Sequence, residues 1–118
     1  MLEQYNKNKI YLKKSKFRSS FKLDEKDKQY INRKGLETIQ KHAKEFTTQR
    51  LSPAFPKRDG KQTPYSGHPV FKAQHAIGVC CRSCLEKWYR IPKGVQLDEN
   101  QIKDISGIIT EWIKTNSD

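Results

Sequence analysis

The sequence predicts a mostly α-helical fold: a small single-domain bundle of about five helices, with a long Pro/Gly-rich loop and a basic N-terminal arm. Three observations predict it. Isoleucines and a tryptophan recur at three- and four-residue steps from Ile102 to Ile113; Leu36, Ile39, Ala43 and Phe46 form a second such stripe; and no stretch sustains the alternation of a strand. The 118 residues fit one domain that buries roughly two thirds of its unfolded surface, so folding requires no disulfide framework. The hydrophobic fraction is only 34% against 31% charged, which keeps the core small.

Residues 1–22 read as the arm and residues 23–118 as the helical domain. The arm carries seven Lys or Arg and one Glu, with Tyr5, Tyr11, Phe17 and Phe21 interleaved and no helical or strand period. Asp24 is placed to accept from a free amide of the first turn, opening a helix that runs to about Lys34, where Gly35 ends it. The second helix carries the stripe from Leu36 to Phe46. His42 sits beside that stripe and reads as a core-edge histidine. From Ser52 to Gly67, three prolines and two glycines in sixteen residues make a long loop. His68-Pro69 starts a short helix that ends near Gly78, because proline at the first helical position loses no hydrogen bond. A further helix from about Cys80 places Cys81, Cys84, Leu85 and Trp88 on one face and stops at Ile91-Pro92. Asp98, with Gln101 three residues on, caps the last helix. Gly107 inside it points to close contact with a neighbouring helix.

The chemistry-bearing residues concentrate between Gly67 and Pro92, which hold all three cysteines and two of the three histidines. Zinc takes four thiolate or imidazole ligands, and a C-x-x-C pair brings two sulfurs to one point. Cys81 and Cys84 meet that spacing; His75 is the better imidazole candidate, with Cys80 or His68 for the remaining position. Zinc is the expected metal, ahead of an iron–sulfur cluster. Two other readings remain open: the cysteines pack as core residues on the stripe with Leu85 and Trp88, or they act as thiols. In the last case Arg82 and Lys87 would lower the pKa of Cys81 or Cys84, and His75 would serve as base. The Lys61, Gln62 and Thr63 run of the long loop offers a cation, an amide and a hydroxyl to a phosphate or other polar ligand.

The net charge of +11 is uneven. Residues 1–60 carry 16 Lys or Arg against 7 acids, and residues 61–118 carry 8 against 6. Such a field favours polyanions, so DNA or RNA contact through Lys13, Lys14, Lys16 and Arg18 is expected, while the charge says nothing about sequence specificity. The longest apolar run, Ala76 to Cys81, falls far short of the ~18–20 residues of a membrane span, and the N-terminus has no secretory pattern. A cytoplasmic location and no membrane partner follow as expectations. Composition does not fix the oligomeric state.

The segment GKQTPYSGHPVFKAQHAIGVCCRSCLEKWYRIPKG, with FRSSFKLDEKDKQYINRKGLETIQKHA and the closing EWI, resembles an uncharacterised family of short, mainly bacterial proteins, the domain of unknown function 4186. The resemblance spans residues 17–113. It brings no established activity, but implies that Lys61, Gln62, His68, His75, Cys81 and Cys84 belong to the family pattern. Relatives often carry His where this chain has Tyr89. The leading expectation is a metal-stapled helical module that contacts nucleic acid. The alternatives are a small cysteine/histidine-dependent enzyme whose substrate is held by the GKQTP loop, and a structural or adaptor protein with buried cysteines.

Overall fold

The computed structural model describes residues 1–117 and contains seven α-helices and no strands among them: α1 (Leu2–Lys14), α2 (Lys16–Ser19), α3 (Glu25–Lys34), α4 (Leu36–Phe46), α5 (Pro69–Ile77), α6 (Arg82–Tyr89) and α7 (Glu99–Asn116). The last is the centre of the bundle. It packs chiefly on α4 and α5, and Ile102, Ile105, Ile108, Ile109 and Ile113 are all buried along one face. At its start the Asp98 carboxylate accepts from the Gln101 amide at 2.8 Å while the Gln101 side chain accepts from Asp98 N at 2.9 Å, the reciprocal cap expected from the sequence. The same device starts α3, where Asp24 and Asp27 exchange bonds of 2.9 Å. Lys72 of α5 then bridges to Asp27 at 2.5 Å and to Asp24 at 3.4 Å, fastening α3 onto α5.

Gly107 does not sit against a neighbour: a Cβ built there meets no atom within 4 Å. The close contact is instead at Gly78. Its backbone is left-handed (φ 78°, ψ 30°), and a Cβ there would lie 2.7 Å from Trp88 Cδ1.

Three local features depart from the sequence expectations. The first is in residues 1–22, where α1 and α2 stand in place of an aperiodic segment. The buried positions of α1 are Tyr5, Asn8 and Leu12, so one of the three inward side chains is polar and the stripe is not legible as apolar. Asn8 is accommodated because its side-chain amide donates to Trp88 O at 2.6 Å. The second is the start of α6, at Arg82 rather than near Cys80. Cys81 is extended (φ −156°, ψ 169°), and its sulfur accepts from Cys84 N at 3.2 Å, doing the work of an N-cap side chain. The third is the exit from α4 through a π-helical turn over Thr47–Leu51, which buries Thr47 and Leu51 before the chain enters the long loop.

That loop is anchored from beneath by Arg82, only 1% exposed. Its guanidinium donates to Pro53 O at 2.8 Å on one side and to Pro92 O and Val95 O at 2.8 and 2.7 Å on the other. Two irregular segments are thus tied to one buried cation. Among the described residues, no helix is long and apolar enough to cross a membrane.

Candidate metal centre

Three turns of local chemistry bring the sulfurs together. Gly78 ends α5 in the left-handed conformation that a side chain disfavours, so the chain can reverse within a few residues. Thr63, reaching up from the long loop, donates to Cys80 O at 2.7 Å and holds that residue's backbone from below. Cys81 then caps α6, and the first turn of that helix carries Cys84 back over it. The result is Sγ–Sγ separations of 2.8 Å for Cys81–Cys84 and 3.4 Å for Cys80–Cys84. All three sulfurs lie within 4.8 Å of one another, with Cys80 and Cys81 buried and Cys84 half-buried. Such a group could hold a metal ion.

The fourth element of the cluster is a cation from α2. Arg18 donates through Nη2 to Cys84 Sγ at 3.3 Å, lies 3.9 Å from Cys80 Sγ through Nη1, and is fixed by an Nη1 bond of 2.6 Å to His75 O. Its guanidinium also lies over the Trp88 ring, 5.6 Å from the centroid. Hydrogen bonds from Cys80 and Cys81, then Arg18, hold the Cys84 thiol well below its usual range even though burial opposes this. The Cys80 thiol is pushed up by its bonds to Cys81 and Cys84 and by burial. At Cys81 the bond with Cys80 lowers the pKa, but its bond to Cys84 and burial outweigh it and the net shift is upward. Arg18 thus faces the one thiol of the three whose pKa is lowered.

The histidines occupy different places. His75 Nε2 lies 3.1 Å from both Thr63 O and Pro64 O, two acceptors, so the ring proton is on Nε2 and the Nδ1 lone pair is left buried with no partner. The ring packs against both Phe21 and Tyr65, each with centroids at 4.9 Å, and those two rings are themselves 6.4 Å apart. Burial, opposed by those carbonyls and aided by Arg18, lowers its pKa. His68 caps α5 by accepting from Val70 N at Nδ1, and its Nε2 lies 3.0 Å from His42 Nδ1. Because Nδ1 of His68 is an acceptor, its proton is on Nε2 and is donated to His42. Neither His68 nor His75 belongs to the thiol group. His42, at the edge of its helix, thus has a specific partner 26 residues away that spacing along α4 did not reveal.

The remaining candidates divide similarly. Arg82 does not act on the thiols, being engaged with loop carbonyls, and Lys87 lies over the Trp88 ring. The cation on Cys84 is Arg18, which the sequence grouped with the surface lysines; those lysines, Lys13, Lys14 and Lys16, are exposed. In the loop, Lys61 is exposed, whereas the Gln62 side chain accepts from Gly60 N and donates to Asp59, and Thr63 is buried on Cys80. Nothing in the sequence tied Arg18 to the thiols, since its 66-residue separation from Cys84 is closed by tertiary packing, including that of α2 on α5.

Fold and site together define a small all-helical protein with a three-cysteine cluster under an arginine. The chain belongs to the DUF4186 family, a domain of unknown function, whose model matches residues 7–114. No solved structure matches it.

Proposed function

We propose that this protein is a zinc-stapled helical module that contacts nucleic acid, with Cys80, Cys81 and Cys84 as thiolate ligands. The observation that carries it is the charge balance of the cluster. Three thiolates in a largely buried site need three compensating charges: Zn²⁺ supplies two and Arg18 the third. At a Zn–S distance of about 2.3 Å, tetrahedral geometry spaces sulfurs about 3.8 Å apart, so the two close pairs open by roughly an ångström or less on binding. The Cys84 N–H bond to Cys81 Sγ and the Arg18 bond to Cys84 Sγ are the outer contacts that orient such ligands. A bound ion would link the end of α5, the cap of α6 and, through Arg18, α2. The exposed Lys13, Lys14 and Lys16 lie on the basic half of the chain and would meet phosphates.

Elemental analysis of the purified, untagged protein tests the metal. Zinc near one equivalent, lost in Cys81→Ser and Cys84→Ser, is the expected result; iron with visible colour would point to a cluster instead. Oligonucleotide affinity that falls steeply between low and physiological salt, and weakens in Lys13→Glu/Lys14→Glu/Lys16→Glu, tests the nucleic-acid contact. A second reading, a cysteine-dependent enzyme, is favoured by the Arg18–Cys84 contact. Absence of metal together with selective alkylation of Cys84 at neutral pH would move the function there. Absence of both would leave the thiols as packing in an adaptor protein.

A further inference from the structure

A cavity of about 430 Å³ opens between α1, the α2–α3 connection, the end of α5 and the last turns of α7. That is within the ~300–1,000 Å³ range of small-molecule sites. Lys9, Lys13, Arg18 and Lys22 line it, and no carboxylate does; Glu111, which acts on the Tyr5 hydroxyl, lies outside the lining. Leu12 and Ile77 give it an apolar wall, and Phe21 and Trp112 contribute aromatic rings. Arg18 borders the cavity, but its guanidinium is engaged with His75 O and the Cys80 and Cys84 sulfurs, none of which line it, so the cations left for a ligand are Lys9 and Lys13, one turn apart on α1, and Lys22. Three lysines in one concavity exceed what a single carboxylate would neutralise and suit a group of higher negative charge. The rings suit a planar aromatic body, since base-sized rings stack on aromatic side chains for about 1–3 kcal/mol each.

We infer that this cavity binds a phosphorylated aromatic compound of nucleotide size, its phosphate among Lys9, Lys13 and Lys22 and its ring against Trp112 and Phe21. The inference does not rest on the zinc reading or on contact with a nucleic-acid strand. Calorimetric titration of the full chain with adenosine 5′-monophosphate, adenosine, inorganic phosphate and decanoate tests it. The nucleotide should bind at least about tenfold more tightly than adenosine or phosphate alone and lose affinity with added salt. Lys13→Glu/Lys22→Glu, both at exposed positions, should cost about tenfold or more, whereas the equal charge change Lys41→Glu/Lys44→Glu on α4 should cost about threefold or less. Nucleotide binding no tighter than phosphate, tighter binding of decanoate, or equal losses in the two charge-reversed variants would each overturn the assignment.

Discussion

Replacing Arg82 by methionine isolates the one buried cation that joins the two irregular segments. The side chain is 1% exposed and donates three short bonds, to Pro53 O, Pro92 O and Val95 O, while its backbone N–H donates to Asp59 at 3.0 Å. Methionine keeps much of the volume and removes all three short bonds, together with the longer ones from Nη1 to Leu51 O and Ser52 O. Each carbonyl left without a donor costs about 1–3 kcal/mol, giving a gross loss of roughly 3–9 kcal/mol. Two effects reduce it: water reaches loop carbonyls once the guanidinium is gone, and the penalty for burying a charge disappears. A net destabilisation of about 3 kcal/mol is expected, in line with breaking other buried charged networks. With an unfolding entropy of about 2.1 cal/mol/K per residue, a chain of this length has about 0.25 kcal/mol/K, so Tm falls by about 12 °C. Arg82→Lys, whose single ammonium cannot span both segments, should fall between the two. Calorimetry gives the Tm, and limited proteolysis should show cleavage moving into the segments around Pro53 and Val95. An Arg82→Met protein that melts within about 2 °C of the parent would refute the claim that these bonds organise the loops.

The two glycines whose environments are opposite predict opposite outcomes. Gly78→Ala forces a left-handed alanine whose Cβ sits 2.7 Å from Trp88 Cδ1, for a loss of about 3 kcal/mol, accompanied by a shift in tryptophan emission as the indole moves. Gly107→Ala meets nothing within 4 Å and should raise stability by about 1 kcal/mol, or Tm by about 4 °C; no gain in calorimetry would mean that α7 tolerates glycine for a reason its packing does not show. Burial and His42 lower the His68 pKa to about 4 from 6.5, so the folded state resists a proton that the unfolded chain accepts. Stability contributed by neutral His68 is full above about pH 6.5 and declines as pH falls toward 4, by an amount discounted for residual solvent to about 2 kcal/mol. Urea unfolding across that window, with chelator present, should show the decline in the parent and a shallower one in His68→Asn, which retains the helix cap. Equal slopes would remove His68 from the acid response.

Periodicity and local capping determined most of the helices from sequence alone. The isoleucine ladder of α7, the Asp24 and Asp98 caps, Gly35 and the His68-Pro69 start are short-range signals, because a cap or a stripe is specified by residues within one or two turns of each other. The C-x-x-C pair was legible for the same reason: two sulfurs three residues apart at a helix start converge in almost any tertiary context. What lay beyond such signals needed the packed chain. Helix α1 was hidden because its inward face includes Asn8, whose side-chain amide finds its acceptor 80 residues away at Trp88 O. Arg18 meets Cys84, His42 meets His68, and Arg82 meets carbonyls on both of the flanking loops, through closures that no spacing rule encodes. A buried charge chooses its partner by what packing brings within about 3 Å, and that choice belongs to the tertiary structure alone.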